Sequence, residues 1–533
     1  MAGQSLPVLI DSVVERHAAR CAIVEGERRV TFADLAQESR RIAAGLRALG
    51  LNKEDALAVW LPNFHEWLIL QIASARLGLR VVALNPRYRT AELAALLSAS
   101  AAKAIALTPS LRGVDLAAMA RDVAPGLRLI TVRGEAHGAA PYAHLRGQDD
   151  STAAGTAADL LNAFPTSGTT ASPKLAAHDQ ASVVTHARNV ARAIRLGPGD
   201  VMLMALPLCG VFGFIGAIAA LGAGATLVLQ AAFDADETAR LLAGHQATHF
   251  YGPDGMLRAV LASPAFQSQA APSWRWGGFA NFTSGRPAEL LELAEAKAGV
   301  KLVGLYGSSE CFALMSAWHA DDDIATRAQA GGFPVSAEIR VRAGDPETGV
   351  PLPTGERGEL QIRGYNVVQQ YLGNPQATRD AFTDDGWFRT GDLGYANPDG
   401  SFVFLARLTD SLRVRGYLLD PAEVEEYLRR HPSVAQAQVV GVPSTTAGDL
   451  PVAFVQLAPG ATAGEEDLLV YCRRGIADYK VPHRICVLDE FPTIMGPNGL
   501  KIQRRRLREM AAGMVGHPGR EDVKRVCQDA DPR

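Results

Sequence analysis

Phe164-Pro165-Thr166-Ser167-Gly168-Thr169-Thr170-Ala171-Ser172-Pro173-Lys174 crowds hydroxyls, a glycine and a lysine into one short loop behind an apolar segment. A bound phosphate needs backbone N–H and hydroxyl donors, a chain free to turn closely around it, and a cation to offset its charge. Thr166, Ser167, Thr169, Thr170, Gly168 and Lys174 supply all three. The spacing is not GxxxxGK[ST], so this is not the common nucleotide P-loop. A plain Ser/Thr/Gly loop has the same composition, and the surrounding chain has to decide between them.

On either side, residues 31–230 repeat a rhythm in which FADLAQESRRIAAGLRALG reads as helix and ALAVWLP, RVVALNP, KAIALT and LRLITV read as apolar strands. Such alternation predicts α/β layers with largely parallel strands. Between Asp200 and Asp234 the chain carries no charge and is long enough to span a bilayer. Pro207, glycines at 210, 213, 216, 222 and 224, the lack of flanking Lys or Arg, and the strand-like ATLVLQ predict instead a buried strand, a glycine-rich turn, a helix and a second strand. After Ala320 the pieces shorten to AEIRVRA, GELQIRG and SFVFLA, which predicts a more antiparallel subdomain. From about Asp410 onward, strands such as AQAQVVGVP and PVAFVQL mix with helices such as PAEVEEYLRRHP, the pattern of a compact α+β unit. The expected fold class is therefore α/β. A large N-terminal domain of layered α/β subdomains plus a β-rich subdomain occupies residues 1–409, a small mobile α+β C-terminal domain 410–512, and a flexible tail 513–533.

Composition narrows the function. With 533 residues the chain exceeds one compact core. Its 53 basic and 56 acidic residues give a net charge of −3 without a long basic block, so nucleic acid is not an expected partner. Six scattered cysteines form no CxxC pair, which argues against a zinc site or disulfide framework and for a reducing cytoplasm. The N-terminal MAGQSLPVLIDSVVERHAAR mixes acid and base and does not read as a signal peptide, and no transmembrane segment is expected.

Four further clusters carry functional polar side chains. In LVGLYGSSECF, residues 302–312, an apolar strand ends in Tyr306 and Gly307 and is followed by Ser308, Ser309 and Glu310. An aromatic face there suits stacking on a base, and the carboxylate suits Mg²⁺ beside phosphates; a plain strand-end turn would look the same. In DDGWFRTGDLGY, residues 384–395, Asp392 follows a glycine and can accept both hydroxyls of a ribose, or simply close a turn. ARLTDSLRVRGY, residues 406–417, contains Arg407 and Asp410, and FPTIMGPNGLKIQRRRLREM carries Lys501 after a glycine-rich turn. A lysine so placed can swing into a site as a point charge, or belong to a solvated basic face.

Together and in this order, the five clusters resemble the adenylate-forming superfamily of acyl-CoA synthetases, aryl-CoA ligases, luciferases and adenylation domains, from TFADL at 31–35 to LREM at 507–510. The resemblance implies that Thr166, Ser167, Gly168, Thr169, Thr170 and Lys174 hold the β and γ phosphates of ATP. It places Tyr306, Gly307, Ser308 and Ser309 around the adenine and AMP, Glu310 toward Mg²⁺, and Asp392 and Arg407 on the ribose. Asp410 matches the family's hinge, and Lys501 its catalytic lysine. Thr166, Lys174, Glu310 and Lys501 are thus the implied catalytic set. This chain departs from the family pattern at two glycines of the phosphate loop, now Ala171 and Leu175, and at Ala406, Arg413 and the adenine wall GGFANF, residues 277–282. Cys209 stands where many acyl-CoA synthetases have a histidine.

The implied reaction exchanges the poor oxide leaving group of a carboxylate for AMP, with release of pyrophosphate, after which a thiol displaces AMP. Lys501, Mg²⁺ and the hydroxyl loop would offset the negative charge of the first transition state. No protein nucleophile is needed, and no Ser/His/Asp or Cys/His pattern offers one. His178 reads as a structural histidine or a substrate contact, and Cys209 as pocket lining. The second half-reaction requires a rearranged site, reached by rotation about Asp410.

The implied acyl pocket draws on Cys209, Gly210, Val211, Phe212, Gly213, Phe214, Tyr251, Gly252, Leu305 and Phe312, with Gly210 and Gly213 expected to leave room for a chain. It holds no carboxylate for an amino group, so a fatty or aromatic acid is expected rather than an amino acid. The expected cofactors and partners are ATP, Mg²⁺, a small carboxylic acid and CoA, in a monomer or homodimer. Two other readings remain open: an acyl-AMP ligase loading a separate acyl carrier protein, and a noncatalytic nucleotide-binding homologue.

Overall fold

The structure, a computed structural model, describes residues 3–148, 154–166, 174–266, 271–281, 286–408, 412–414, 417–419, 421–444, 448–476, 480–496 and 499–515. The chain divides into two compact units: one of Met1–Ala280, Ala288–Val341 and Ile362–Phe388, the other of Asn281–Pro287, Arg342–Gln361 and Arg389–Arg533.

The first unit is layered α/β. An eight-stranded sheet runs in the order Gln370–Tyr371, Lys174–Asp179, Leu160–Thr166, Arg80–Ala83, Ala56–Trp60, Ala102–Leu107, Arg128–Thr131, Ala140–Pro141. Its pairs are parallel from Leu160–Thr166 through Ala140–Pro141, as the alternating pattern predicts, and antiparallel at the other edge. The apolar strands Ala56–Trp60 and Ala102–Leu107 put Ala56, Ala58, Trp60, Ile105 and Leu107 into one core with Val82, Leu93, Leu96 and Leu175, and bury Leu57, Val59, Ala104 and Ala106 on the opposite face. Helix Phe32–Ala48 begins at a capping box: Thr31 Oγ1 accepts from the Asp34 N–H at 3.1 Å, and Asp34 accepts from the Thr31 N–H at 3.0 Å.

The uncharged stretch resolves as read from the sequence: strand Val201–Met204, helix Val211–Ala223, strand Thr226–Leu229. Both strands lie in a four-stranded sheet with Cys21–Glu25 and Arg28–Thr31. The helix is buried along almost its whole circumference, packed on helices Leu6–His17 and Gln180–Ala193 and on strand Phe312–Ala317. No helix among the described residues is long and apolar enough to cross a membrane. A third run of strands follows the order Gly252–Pro253, Gly277–Ala280, Leu302–Ser308, Phe312–Ala317, Ala330–Pro334.

In the second unit, Phe402–Arg407, Phe388–Ala396, Gly358–Arg363 and Arg340–Gly344 lie side by side in that order. A five-stranded sheet is built on the long antiparallel pair Val434–Ser444 and Gly448–Leu457, with Arg484–Val487 parallel to the latter. Helices Pro421–Arg429 and Glu465–Gly475 cover one apolar cluster of it, and helix Arg504–Val515 another, through Leu507, Met510 and Met514.

Candidate active site

The phosphate-loop flanks are placed by the sheet. Leu160–Thr166 and Lys174–Asp179 form an antiparallel pair in which Thr166 lies opposite Lys174, so the loop leaves the carboxyl end of a strand whose other neighbour is parallel. Open α/β sheets bind their ligands at such ends. Ser167, Gly168, Thr169, Thr170 and Ala171 lie outside the described residues. Lys174 is half-buried, its Nζ 5.1 Å from the centroid of the Tyr371 ring. Leu175, in place of the family's glycine, is 1% exposed and belongs to the core around Trp60 and Val82. It pins the exit of the loop to the sheet.

Glu310 sits in a tight turn between strands Leu302–Ser308 and Phe312–Ala317, where Ser308 pairs with Phe312. Gly307 has φ +159°, and a Cβ there would meet the Phe312 carbonyl oxygen at 2.4 Å, so the two strands approach too closely for any other residue. Phe312 and Leu314 take left-handed backbone angles, φ +59° and +57°. That strain is held by packing: the Phe312 ring lies between His178, 4.0 Å away, and His186, 5.2 Å away. His178 Nε2–H donates to the Ser309 carbonyl at 2.7 Å and His186 Nε2–H to that of Ala313 at 3.0 Å. Burial pulls both imidazoles down to about 4, against those hydrogen bonds, so both are neutral supports. Of the two readings of His178, the structure selects the structural one.

The Glu310 turn is held from the other side by Asn366–Tyr371. The Val368 N–H donates to the Glu310 carbonyl at 2.6 Å, Asn366 Nδ2 to that of Cys311 at 2.6 Å, and the Tyr371 hydroxyl to Glu310 Oε1 at 3.2 Å. Glu310 is half-buried, and one carboxylate oxygen is thereby occupied by a neutral donor. A hard, strongly hydrated cation such as Mg²⁺ takes one or two protein carboxylates and completes its shell with water and phosphate, so this carboxylate fits it. Tyr306 lies beside the turn, 8% exposed, opposite Ser316 in the next strand.

Asp392 and Arg407 lie in the second unit as direct cross-strand partners, with Arg407 Nε 2.9 Å from Asp392 Oδ1. Glu359, not singled out by the sequence, organises their turn: it is 3% exposed, accepts from the Gly391 N–H at 3.0 Å and pairs with Arg389 at 2.8 Å. Its signal was a glutamate inside the apolar strand GELQIR, a position where only a partnered charge is stable. Lys501 sits on strand Gly499–Ile502, opposite Ile494 of Thr493–Gly496. Asp410 lies outside the described residues.

The implied acyl residues separate by helix geometry. Phe212 packs on Tyr251 at 5.0 Å, and the Tyr251 hydroxyl donates to the Phe212 carbonyl at 2.7 Å. Phe214, two positions on, points away and packs on Phe164 at 5.3 Å and Trp67 at 5.9 Å, so Phe212 and Phe214 do not share a wall. Gly213 does not leave room for a chain, contrary to expectation: a Cβ there would lie 2.4 Å from the Pro207 carbonyl oxygen, so the missing side chain is filled by backbone. The space at Gly216 is filled as well, by the Tyr251 hydroxyl, 2.0 Å from where a Cβ would lie. Leu305 fills the space beside Gly278, and Phe312 is the ring held between the two histidines. Cys209 is buried and its thiol pushed up to about 12 by burial, so it is no nucleophile.

One cluster outside these motifs has the composition of a metal site: Glu25, His65 and Glu66. Its centre is taken by Arg133, whose guanidinium lies 2.6 Å from Glu25, 2.7 Å from Glu66, and 3.7 Å above the Phe64 ring. Burial raises the Glu25 carboxyl, but hydrogen bonds from His65 and Arg133 outweigh it and hold the group at about 2.

A family model described as "AMP-binding enzyme" matches residues 10–372, and one described as "AMP-binding enzyme C-terminal domain" matches residues 423–494. YngI of Bacillus subtilis (strain 168), assigned as an acyl-CoA synthetase, is 30% identical over 540 residues, 95% of this chain and 97% of the relative. The mitochondrial medium-chain acyl-CoA ligase ACSF2 of Rattus norvegicus is 29% identical over 537 residues, 94% of this chain and 86% of the relative. Among solved structures, ATP-bound MatB from Rhodopseudomonas palustris aligns with a TM-score of 0.84 at 26% identity, covering 95% of this chain and 99% of that one. O-succinylbenzoate coenzyme A synthetase (MenE) from Bacillus subtilis, in complex with AMP, gives 0.80 at 25% identity, covering 94% and 98%. Motifs, fold and relatives agree over nearly the whole length: the chain belongs to the AMP-binding, adenylate-forming enzyme family.

Proposed function

We propose that this protein is an ATP-dependent, AMP-forming acid-thiol ligase that activates an apolar fatty or aromatic acid as its acyl-AMP and passes the acyl group to CoA. The observation that carries this reading is the meeting of Lys174 and Glu310 at one tyrosine, beside the carboxyl ends of parallel strands. That pairs a cation suited to phosphate with a carboxylate suited to a divalent metal. The named relatives, an assigned acyl-CoA synthetase and a medium-chain acyl-CoA ligase, support the thioester product.

In this reading Thr166 and Lys174, with Ser167, Gly168, Thr169 and Thr170, hold the β and γ phosphates. Tyr306, Gly307, Ser308 and Ser309 border the adenine, and Asp392, oriented by Arg407, accepts the ribose hydroxyls. Glu310 would hold Mg²⁺, which when bound supplies positive charge beside the phosphates. Lys501 brings a further positive charge to the carboxylate and α-phosphate, where two anions must approach. Rotation about Asp410, between domains 1–409 and 410–512, then withdraws Lys501 and admits the thiol. A cytoplasmic location accords with the buried thiols of Cys209 and Cys472, which form no disulfide.

Pyrophosphate and AMP release across a panel of fatty and aromatic acids, with and without CoA, tests the proposal. CoA-dependent AMP release with at least one apolar acid is the expected result. Release only with an acyl carrier protein would redirect the acceptor, and silence with every acid would overturn the catalytic reading.

A further inference from the structure

We infer that Tyr371 is a positioning residue for adenylation, its hydroxyl fixing the Glu310 carboxylate and its ring seating the Lys174 ammonium. The inference rests on the proposed function and adds a residue to the same site. Tyr371 is 6% exposed and lies about two hundred residues beyond Lys174 in sequence, yet the backbone leaves it little freedom. The short strand Gln370–Tyr371 pairs with Lys174–Asp179, Tyr371 opposite Ala176. The flanking N–H groups of Gln369 and Leu372 donate to Ala177 and Leu175 carbonyls, both at 2.9 Å, and Tyr371 N–H donates to Thr378 Oγ1 at 3.0 Å. The preceding residues Asn366 and Val368 hold the Glu310 turn through its carbonyl groups. One segment therefore grips the phosphate-loop strand with one side and the acidic turn with the other, and Tyr371 is where the two charged side chains meet it.

A carboxylate and an ammonium left in reach of each other would pair directly, and each would then be neutralised against its ligand. Among the described residues they meet instead through Tyr371: an O–H donor 3.2 Å from Glu310 Oε1 and a ring face 5.1 Å from Lys174 Nζ. A neutral hydroxyl orients a carboxylate without cancelling its charge, and an aromatic face attracts an ammonium without a counter-charge. Glu310 keeps its charge for a cation and Lys174 keeps its own for phosphate.

The two functions of the side chain separate by substitution. Tyr371→Phe keeps the ring and removes the hydroxyl; Tyr371→Leu removes both. ATP binding to the full chain is measured by calorimetry in EDTA and in excess Mg²⁺, beside acid-dependent pyrophosphate exchange. In Tyr371→Phe the tightening of ATP binding by Mg²⁺ should fall roughly tenfold, the scale of one hydrogen bond to a charged group, while binding in EDTA stays within about twofold of wild type. Tyr371→Leu should in addition weaken binding in EDTA about fivefold. In a Glu310→Gln background, Tyr371→Phe should add less than about twofold, because its partner's charge is already gone. An unchanged Mg²⁺ effect in Tyr371→Phe, or full additivity with Glu310→Gln, overturns the inference, and these two conservative variants suffice if Tyr371→Leu does not fold. Wild type that binds no ATP overturns the ligase reading and this inference together, whereas normal wild-type behaviour with an inert Tyr371→Phe overturns the inference alone.

Discussion

Leu175 shows how a departure from a family pattern is read by where its side chain goes. A glycine at the exit of a phosphate loop leaves the chain free to turn; here an isobutyl group in the core beside Trp60 and Val82 holds that exit rigid. Leu175→Ala should cost about 2–4 kcal/mol of stability, seen as a lower urea midpoint at unchanged slope, because it empties a closed site rather than loosening a surface loop. A loss under about 1 kcal/mol would mean that the core collapses around the gap. The sequence singles out the hydroxyls, Lys174, Glu310, Asp392 and Lys501 because each is a polar group at a fixed offset from a glycine or an apolar run. It does not single out Tyr371, which is distant in sequence from its partners and lies in an ordinary strand pattern, so only the pairing register gives it a role; Glu359 shows itself as a charge inside an apolar strand, but its partners Arg389 and Gly391 appear only in the fold.

At the scale of elements, alternation and turn chemistry gave the strands and helices, including the uncharged helix Val211–Ala223, while contacts across elements stayed hidden. Gly213 illustrates the gap, since a sequence shows a missing side chain but not the carbonyl that fills its place. Gly213→Ala should lower stability by about 1–3 kcal/mol and leave the accepted range of acids unchanged. Urea unfolding and the acid panel check both halves. The strand pair around Glu310 carries a pH signature of its own. His178 and His186 have folded pKa values of about 4 against an ordinary 6.5, so the unfolded chain takes up their protons first. Stability from this source is complete above about pH 7 and falls between 6.5 and 4, by roughly 2 kcal/mol per histidine at pH 5. His186→Gln should flatten the change in urea midpoint between pH 7 and pH 5; a slope equal to wild type would assign the dependence elsewhere.

Across the whole molecule, two predictions concern parts joined over long distances in sequence. Arg133 links strand Cys21–Glu25, in one sheet, to the end of strand Arg128–Thr131, in another, through Glu25 and Glu66. Arg133→Ala should cost roughly 2–4 kcal/mol at pH 7, below the range for a fully buried pair because the guanidinium is 36% exposed. The deficit should shrink toward pH 4, as Glu25, whose carboxyl Arg133 helps to hold low, takes up a proton once that cation is gone; a deficit that grows with acid would contradict this account. Lys501→Ala should slow adenylation at least a hundredfold yet leave thioester formation from supplied acyl-AMP within about threefold. Equal losses in the two half-reactions would refute the proposed division of labour.

The buried helix Val211–Ala223 also bears on how the chain is made. Its earlier neighbours, Leu6–His17 and Gln180–Ala193, have been synthesised by the time it emerges, but strand Phe312–Ala317, which closes over it, follows roughly ninety residues later. At translation speeds of about 5–20 residues per second, an uncharged apolar helix stays without part of its cover for on the order of 5–20 seconds. During that interval the nascent chain exposes an apolar face of a helix that, at 13 residues, is too short to span a bilayer, so this segment is the place where premature association would start until the later strand arrives.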